Sequence, residues 1–145
     1  NENGGAWRQT IYYPFRDVSA FGAGCVLRPV VKSPLYDTKD FTDVPYLDAV
    51  AVWNGDREEL TLFAVNRDLT EEMWIESDIR GFEDYEVIGH SILEHEDLRA
   101  VNTEKAPWTV VPHDRGNARA EDGFLKALLP KASWNVIRLK KGLKG

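Results

Sequence analysis

Trp7, Arg8 and Gln9 stand together in a short aromatic run, Ala6-Trp-Arg-Gln-Thr-Ile-Tyr-Tyr13, just after the Gly4-Gly5 pair. Gln9 offers one carbonyl acceptor and two amide donors, a set suited to neighbouring hydroxyls of a sugar. Trp7 supplies an apolar ring face on which a sugar can stack. The same residues would also serve as a core tryptophan beside an Arg8 paired with an acid elsewhere. Residue types alone leave both uses open.

Other chemistries find less support. Glu58-Glu59, Glu71-Glu72 and Glu83-Asp84 are adjacent acids at expected strand ends and turns, where solvation is the ordinary outcome. A retaining glycosidase holds two carboxyls roughly 5–5.5 Å apart across the bond it cuts, and no two acids here fall convincingly on neighbouring strand ends. Glu2 is the acid nearest the aromatic run, in a Gly-rich turn that suits a loop or capping role. No catalytic residue is therefore assigned within this chain. His90, Ser91, His95 and Asp97 bring triad residue types close in sequence, yet triads assemble from distant segments and no nucleophile elbow is present. Gly22-Ala-Gly24 lacks the third glycine and the Lys-Ser or Lys-Thr pair of a phosphate loop. The three histidines (His90, His95, His113) lack the close spacing of a metal site, and Cys25 is the single cysteine, so no metal and no intrachain disulfide is expected.

The elements that must position Trp7 and Gln9 follow from the pattern around them. Asn3-Gly4-Gly5 is a turn signal, and Ala6 to Tyr13 reads as a strand closed by Pro14. Val18, Phe21, Cys25, Val26, Val30 and Val31 roughly follow helical spacing, with a kink or restart at Pro29 and an end at Ser33-Pro34. A lone strand and helix cannot bury both their faces unaided. Beyond Asp43-Val-Pro45 the texture changes to short strands: Leu47–Trp53, Leu60–Asn66, Met73–Asp78, Tyr85–Glu94, Thr109–Val111, Phe124–Leu129 and Trp134–Leu139. Asn54-Gly55, Arg80-Gly81 and Asp122-Gly123 supply the turns. Alternation is imperfect in Leu60–Val65 and Trp134–Leu139, as expected of strands buried on both sides. Seven strands at this spacing, with little helix, predict a β-sandwich. The polar stretch from Asp97 to Pro107 reads as a loop with at most one helical turn near Glu96-Asp97-Leu98.

Bulk properties narrow the partners. The 145 residues carry 18 basic and 24 acidic side chains, a net charge of −6, with no basic patch, which argues against nucleic acid. Apolar stretches such as Ala49–Trp53 are too short to cross a bilayer. The chain opens at Asn1 without an initiator Met, which gives the expectation that a longer protein is cut here.

The run Glu2-Asn-Gly-Gly-Ala-Trp-Arg-Gln-Thr-Ile-Tyr-Tyr-Pro-Phe15 strongly resembles the C-terminal part of α-L-arabinofuranosidases of glycoside hydrolase family 51. Ser33-Pro-Leu-Tyr-Asp37, Thr42-Asp-Val-Pro-Tyr-Leu-Asp-Ala-Val-Ala51, Phe63-Ala-Val-Asn-Arg67 and Leu129-Pro-Lys-Ala-Ser-Trp-Asn-Val-Ile-Arg138 extend the resemblance over the whole chain. It implies a mostly β fold: a jelly-roll β-sandwich over residues 43–145, preceded over residues 1–42 by the last βα unit of a (β/α)8 (TIM) catalytic barrel. It implies hydrolysis, with retention, of terminal non-reducing α-L-arabinofuranosyl groups of arabinan, arabinoxylan and their oligosaccharides. Both catalytic Glu would lie upstream, while Gln9 would bond the arabinose ring with Trp7 close by. It implies no metal or cofactor, a homo-oligomer (commonly a hexamer) and a cytoplasmic location. The missing barrel would be this chain's partner, and without it the chain is expected to be inactive and unstable. The competing expectation is a non-catalytic carbohydrate-binding or oligomerisation sandwich. That role calls for a row of exposed aromatics, for which Trp53, Trp74, Trp108 and Trp134 are candidates; Trp53 and Trp134, in apolar strands, are expected to be buried.

Overall fold

The computed structural model describes residues 4–142; Glu2 and Asn3 lie outside them. Ten strands, one α-helix and a 3-10 turn at Arg80–Phe82 are the regular elements of the described chain. Helix α1 (Tyr12–Phe21) comes first, then β1 (Cys25–Leu27), β2 (Leu35–Tyr36), β3 (Val44–Pro45), β4 (Leu47–Asn54), β5 (Glu59–Asn66), β6 (Met73–Asp78), β7 (Tyr85–Leu93), β8 (Arg119–Glu121), β9 (Phe124–Leu129) and β10 (Ser133–Lys141). Five strands form one sheet in the order β1-β4-β5-β10-β7, and β6-β9-β8 form a second. A two-stranded ribbon of β2 and β3 stands beside them, with Tyr36 stacked on Tyr46 at 4.5 Å between ring centres. Every strand pairing is antiparallel.

The two larger sheets close on one core, so the expected sandwich is present. Leu47, Leu60, Leu62, Ala64, Ile137 and Leu139 of the first sheet meet Ile75, Leu125, Ala127 and Leu129 of the second. Burying each of these Leu and Ile side chains stabilises the fold by about 1.5–3 kcal/mol before conformational entropy is charged against it. The first sheet is also covered on its other face. There Val52, Phe63 and Val136 form a second cluster with Phe21 of α1 and Trp134. This explains the weak alternation in β5: Leu60, Leu62 and Ala64 face the other sheet, while Phe63 faces the helix layer.

Six of the seven expected strands are found, with ends shifted by two residues at most. The seventh, Thr109–Val111, is not a strand; Val110 is held instead by a side chain, described below, and only His113 bridges β7, at Ile92. Two further expectations fail near the N-terminus. Ala6–Gln9 is irregular and Tyr12–Tyr13 is helical rather than extended. No strand among the described residues offers Ala6–Gln9 a ladder, and Pro14 sits in the first helical turn, where its missing N–H costs nothing. The helix then stops at Phe21, far short of Ser33. The Gly22 N–H closes on the Val18 carbonyl at 2.8 Å. Gly24 has φ +148°, and a Cβ there would run into the Trp53 carbonyl. The chain is thereby turned into β1, which lies antiparallel on β4 with Cys25 opposite Trp53. Paired with an open sheet edge, Val26 and its neighbours take up the extended form that β-branched side chains favour.

Candidate functional site

Residues 5–9 have no regular secondary structure, yet they are tied at several points. The Gly5 N–H donates to the Glu104 carboxylate at 3.1 Å. The Arg8 carbonyl accepts from the Asn102 Nδ2 at 2.9 Å. Next to it, the Gln9 carbonyl accepts the Tyr12 N–H at 2.9 Å, at the start of α1. The Arg8 guanidinium lies over the Tyr12 ring, 4.9 Å from its centre, within cation–π range. Trp7 is 37% exposed and the Gln9 side chain is exposed as well. The backbone is fixed while both candidate side chains remain accessible.

The fixing groups belong to the long excursion between β7 and β8, residues 94–118. Asn102 is 5% exposed and its amide is fully engaged. Nδ2 donates to the carbonyls of Val110 (2.8 Å) and Arg8, and Oδ1 accepts the Val110 N–H at 2.7 Å. Val110 in turn packs with Tyr13 and Leu93, against Ala100 and Trp134. The loop and the helix therefore share one small apolar cluster. A cleft of about 350 Å³ opens beside it, bordered by Thr10, Leu93, Val110 and Trp134, with Arg67, Glu94 and Asp97 among its walls as charged groups. Trp7 and Gln9 do not border this cleft.

Several other titratable groups are held in ion pairs or hydrogen bonds. Glu59 pairs with Arg138 and Glu58 with Lys141, which raises the lysine's pKa, foremost through the hydrogen bond to Glu58. Asp78 is drawn down to about 2 by its hydrogen bonds from Arg80. The imagined triad does not form. His90 is buried, its Nε2 3.2 Å from Asn135 Oδ1 and its Nδ1 accepting the Ala118 N–H at 3.3 Å, which fixes the neutral ring with its proton on Nε2. Burial lowers its pKa, and the Asn135 bond opposes that only in part. Adjacent side chains point to opposite faces of a strand, so Ser91 is directed away from His90. Asp97 caps the Arg99 N–H at 2.9 Å, and its own N–H donates to His95 Nδ1 at 3.0 Å. Among the described residues, no three His, Cys, Asp or Glu side chains gather as a metal site. No helix of the described chain is long and apolar enough to cross a membrane.

Aromatic exposure differs from expectation at Trp53 and, in part, at Trp134. Trp74 and Trp108 are exposed, and Trp134 is half-buried, but Trp53 is 39% exposed, its Nε1 donating to the Tyr85 hydroxyl at 3.0 Å. As part of β4 near the sheet's edge, it is covered on one side only. Asn102 escaped the sequence reading altogether: a single Asn inside a polar loop carries no spacing signal, and its role depends on partners 8 and 94 residues away.

Three comparisons with known proteins bear on this arrangement. Residues 1–133 match the family model of the α-L-arabinofuranosidase C-terminal domain. The chain is 49% identical over 141 residues to an intracellular exo-α-(1→5)-L-arabinofuranosidase of Halalkalibacterium halodurans, and 47% identical over 141 residues to one of Bacillus subtilis. Each match takes in 97% of this chain and 28% of the relative, so the chain spans little more than a quarter of those proteins. Among solved structures, a family 51 α-L-arabinofuranosidase from Bifidobacterium longum superposes with a TM-score of 0.86 at 32% identity, over 95% of this chain and 27% of that one. With 133 of its 145 residues matched by that family model, the chain belongs to the α-L-arabinofuranosidase C-terminal domain family.

Proposed function

We propose that this chain works as the C-terminal part of an exo-acting, retaining α-L-arabinofuranosidase that removes terminal non-reducing arabinofuranosyl groups from arabinan, arabinoxylan and their oligosaccharides. The acid/base and nucleophile carboxylates come from the rest of that protein, a (β/α)8 barrel whose last βα unit falls within residues 1–42. The irregular Ala6–Gln9 segment takes its place as the last strand once the neighbouring strands are beside it, and α1 is the helix that follows. Gln9 then hydrogen-bonds the hydroxyls of the bound sugar and Trp7 lies beside it. The sandwich of residues 43–145, of jelly-roll type and with β1 added at its edge, acts as the scaffold that buttresses this segment. The whole protein is a cytoplasmic homo-oligomer that needs no metal or organic cofactor.

One observation carries the reading: a Trp-Arg-Gln segment with fixed backbone and accessible side chains, in a domain whose relatives are arabinofuranosidases. In the full-length protein, Gln9→Ala is expected to lower kcat/KM on a nitrophenyl α-L-arabinofuranoside by about ten- to a hundredfold, the loss of one or two hydrogen bonds to a desolvated sugar. A kcat/KM equal to wild type would refute the assignment.

A second reading rests on Trp74 and Trp108, exposed at 58% and 64%: a sandwich that binds carbohydrate without cutting it. These rings sit on β6 and on the β7–β8 loop rather than in one row along a sheet, which favours the scaffold role. Titrating arabino-oligosaccharide against tryptophan fluorescence of the isolated sandwich separates the two, since only a binding module responds.

A further inference from the structure

We propose that Asn102 is the positioning residue for Gln9: it fixes the backbone from which Gln9 reaches the sugar, without touching the sugar itself. The inference rests on the reading of Gln9 given above. Three observations carry it. First, Asn102 has no amide group to spare, since its two Nδ2 protons are taken by the Arg8 and Val110 carbonyls and its Oδ1 by the Val110 N–H. Asn102 is 5% exposed and its bond to Arg8 is part-buried, so water competes less for these partners than at the open surface and each bond is the firmer for it.

Second, the peptide units on both sides of Gln9 are constrained. The Arg8 carbonyl is held by Asn102 and the Gln9 carbonyl by the first amide of α1. Removing either tie frees the rotation that aims the Gln9 side chain. Whatever pairs with residues 5–9 from the rest of the protein, the Arg8 carbonyl is already engaged by this loop. Third, Val110 couples the clamp to the fold. By pairing with both the N–H and the C=O of Val110, Asn102 ties the segment to the cluster of Tyr13, Leu93 and Val110. The companion tie from Glu104 to Gly5 is exposed and three residues further from Arg8, so it contributes less.

A displacement of about 1 Å in a substrate ligand can cost up to about a hundredfold in rate, so a residue that only aims Gln9 has a kinetic signature of its own. The test is a double-mutant cycle in the full-length protein, with wild type, Asn102→Ala, Gln9→Ala and the double variant assayed on a nitrophenyl α-L-arabinofuranoside. Asn102→Ala is expected to lower kcat/KM about tenfold, chiefly through kcat, whereas in the Gln9→Ala background the same change alters it by less than about twofold. A structural role alone would lower the melting temperature in both backgrounds and multiply the rate losses; multiplicative losses overturn the proposal. So does an Asn102→Ala enzyme with wild-type kcat/KM. If Gln9→Ala is itself silent, the sugar-ligand reading falls and this inference falls with it, an outcome distinct from multiplicative losses. Should Asn102→Ala not fold, Asn102→Ser takes its place in the same cycle, because its uncharged hydroxyl keeps one polar group in the buried site but is too short to bridge the Arg8 and Val110 carbonyls.

Discussion

The indole N–H of Trp134, on β10, donates to Oδ2 of Asp17, on α1, at 3.1 Å. The other carboxylate oxygen of Asp17 takes two bonds from Arg16, at 2.9 and 2.6 Å. The Asp17 side chain is 4% exposed, so this is a buried acid neutralised by its neighbour and joined to the sheet by a ring. It locks the helix in place on the outer face of the five-stranded sheet. Asp17→Ala leaves the indole N–H without a partner and the Arg16 charge unpaired. A loss of about 2–4 kcal/mol in unfolding free energy is expected by urea titration. Trp134→Phe, which keeps a ring but leaves Asp17 short of a donor, costs less than the alanine variant.

Asn66 closes the joint between the sheets. Its Nδ2 faces the carbonyls of Glu71, Leu129 and Pro130 at 3.0–3.2 Å, and its Oδ1 accepts the Asp68 N–H at 3.0 Å. Asn66→Ala is expected to cost about 2–4 kcal/mol by leaving these groups unsatisfied. Asn66→Asp, of the same shape, directs a carboxylate at three carbonyl oxygens and is expected to melt lower than wild type at neutral pH. Differential scanning calorimetry of the two variants checks both orders.

Gly116 lies where any side chain would enter the imidazole of His90, since a Cβ there overlaps the ring. His90 cannot move aside without giving up Asn135 and Ala118. Gly116→Ala is therefore an overpacking change, expected to cost about 1–3 kcal/mol, read as a lower urea midpoint with an unchanged slope.

His90 also sets a pH dependence with a definite sign. Burial holds its folded pKa below the ordinary 6.5, so just under that pH the unfolded chain binds more protons than the folded one. Stability from this group is complete above pH 6.5, falls as the pH drops below it, and levels off once the folded value is passed. Urea titrations from pH 8 to pH 5 should show the decline, and His90→Gln should flatten it. A His90→Gln variant as pH-sensitive as wild type would contradict the assignment.

Much of the sandwich is legible in the sequence because strands and their turns are local signals. Asn54-Gly55 and Asp122-Gly123 each mark a reversal between paired strands, and Arg80-Gly81 marks the 3-10 turn by which the chain crosses from β6 to β7; at the second, Asp122 and Gly123 both adopt positive φ. Phe124–Leu129 and Met73–Asp78 match residue for residue. The N-terminal third is harder to read because its conformation depends on what lies next to it. An aromatic, β-branched run from Ala6 to Tyr13 has strand composition, yet strand composition without a ladder does not make a strand. Cys25–Leu27 fits a helical period, but the free edge of β4 takes it up. Family motifs draw attention to Trp7 and Gln9, whereas Asn102 and Asp17 act through partners 94 and 117 residues away. No local pattern encodes such distances.

The pairing of Cys25 with Trp53 gives the edge of the larger sheet a built-in reporter. Cys25 is the single thiol of the chain and is exposed, and cross-strand neighbours point to the same face. A fluorophore attached there would be quenched by the indole opposite for as long as β1 stays zipped to β4, and would brighten when that short strand peels away. Detachment of one margin of the domain could thus be timed separately from the loss of its centre.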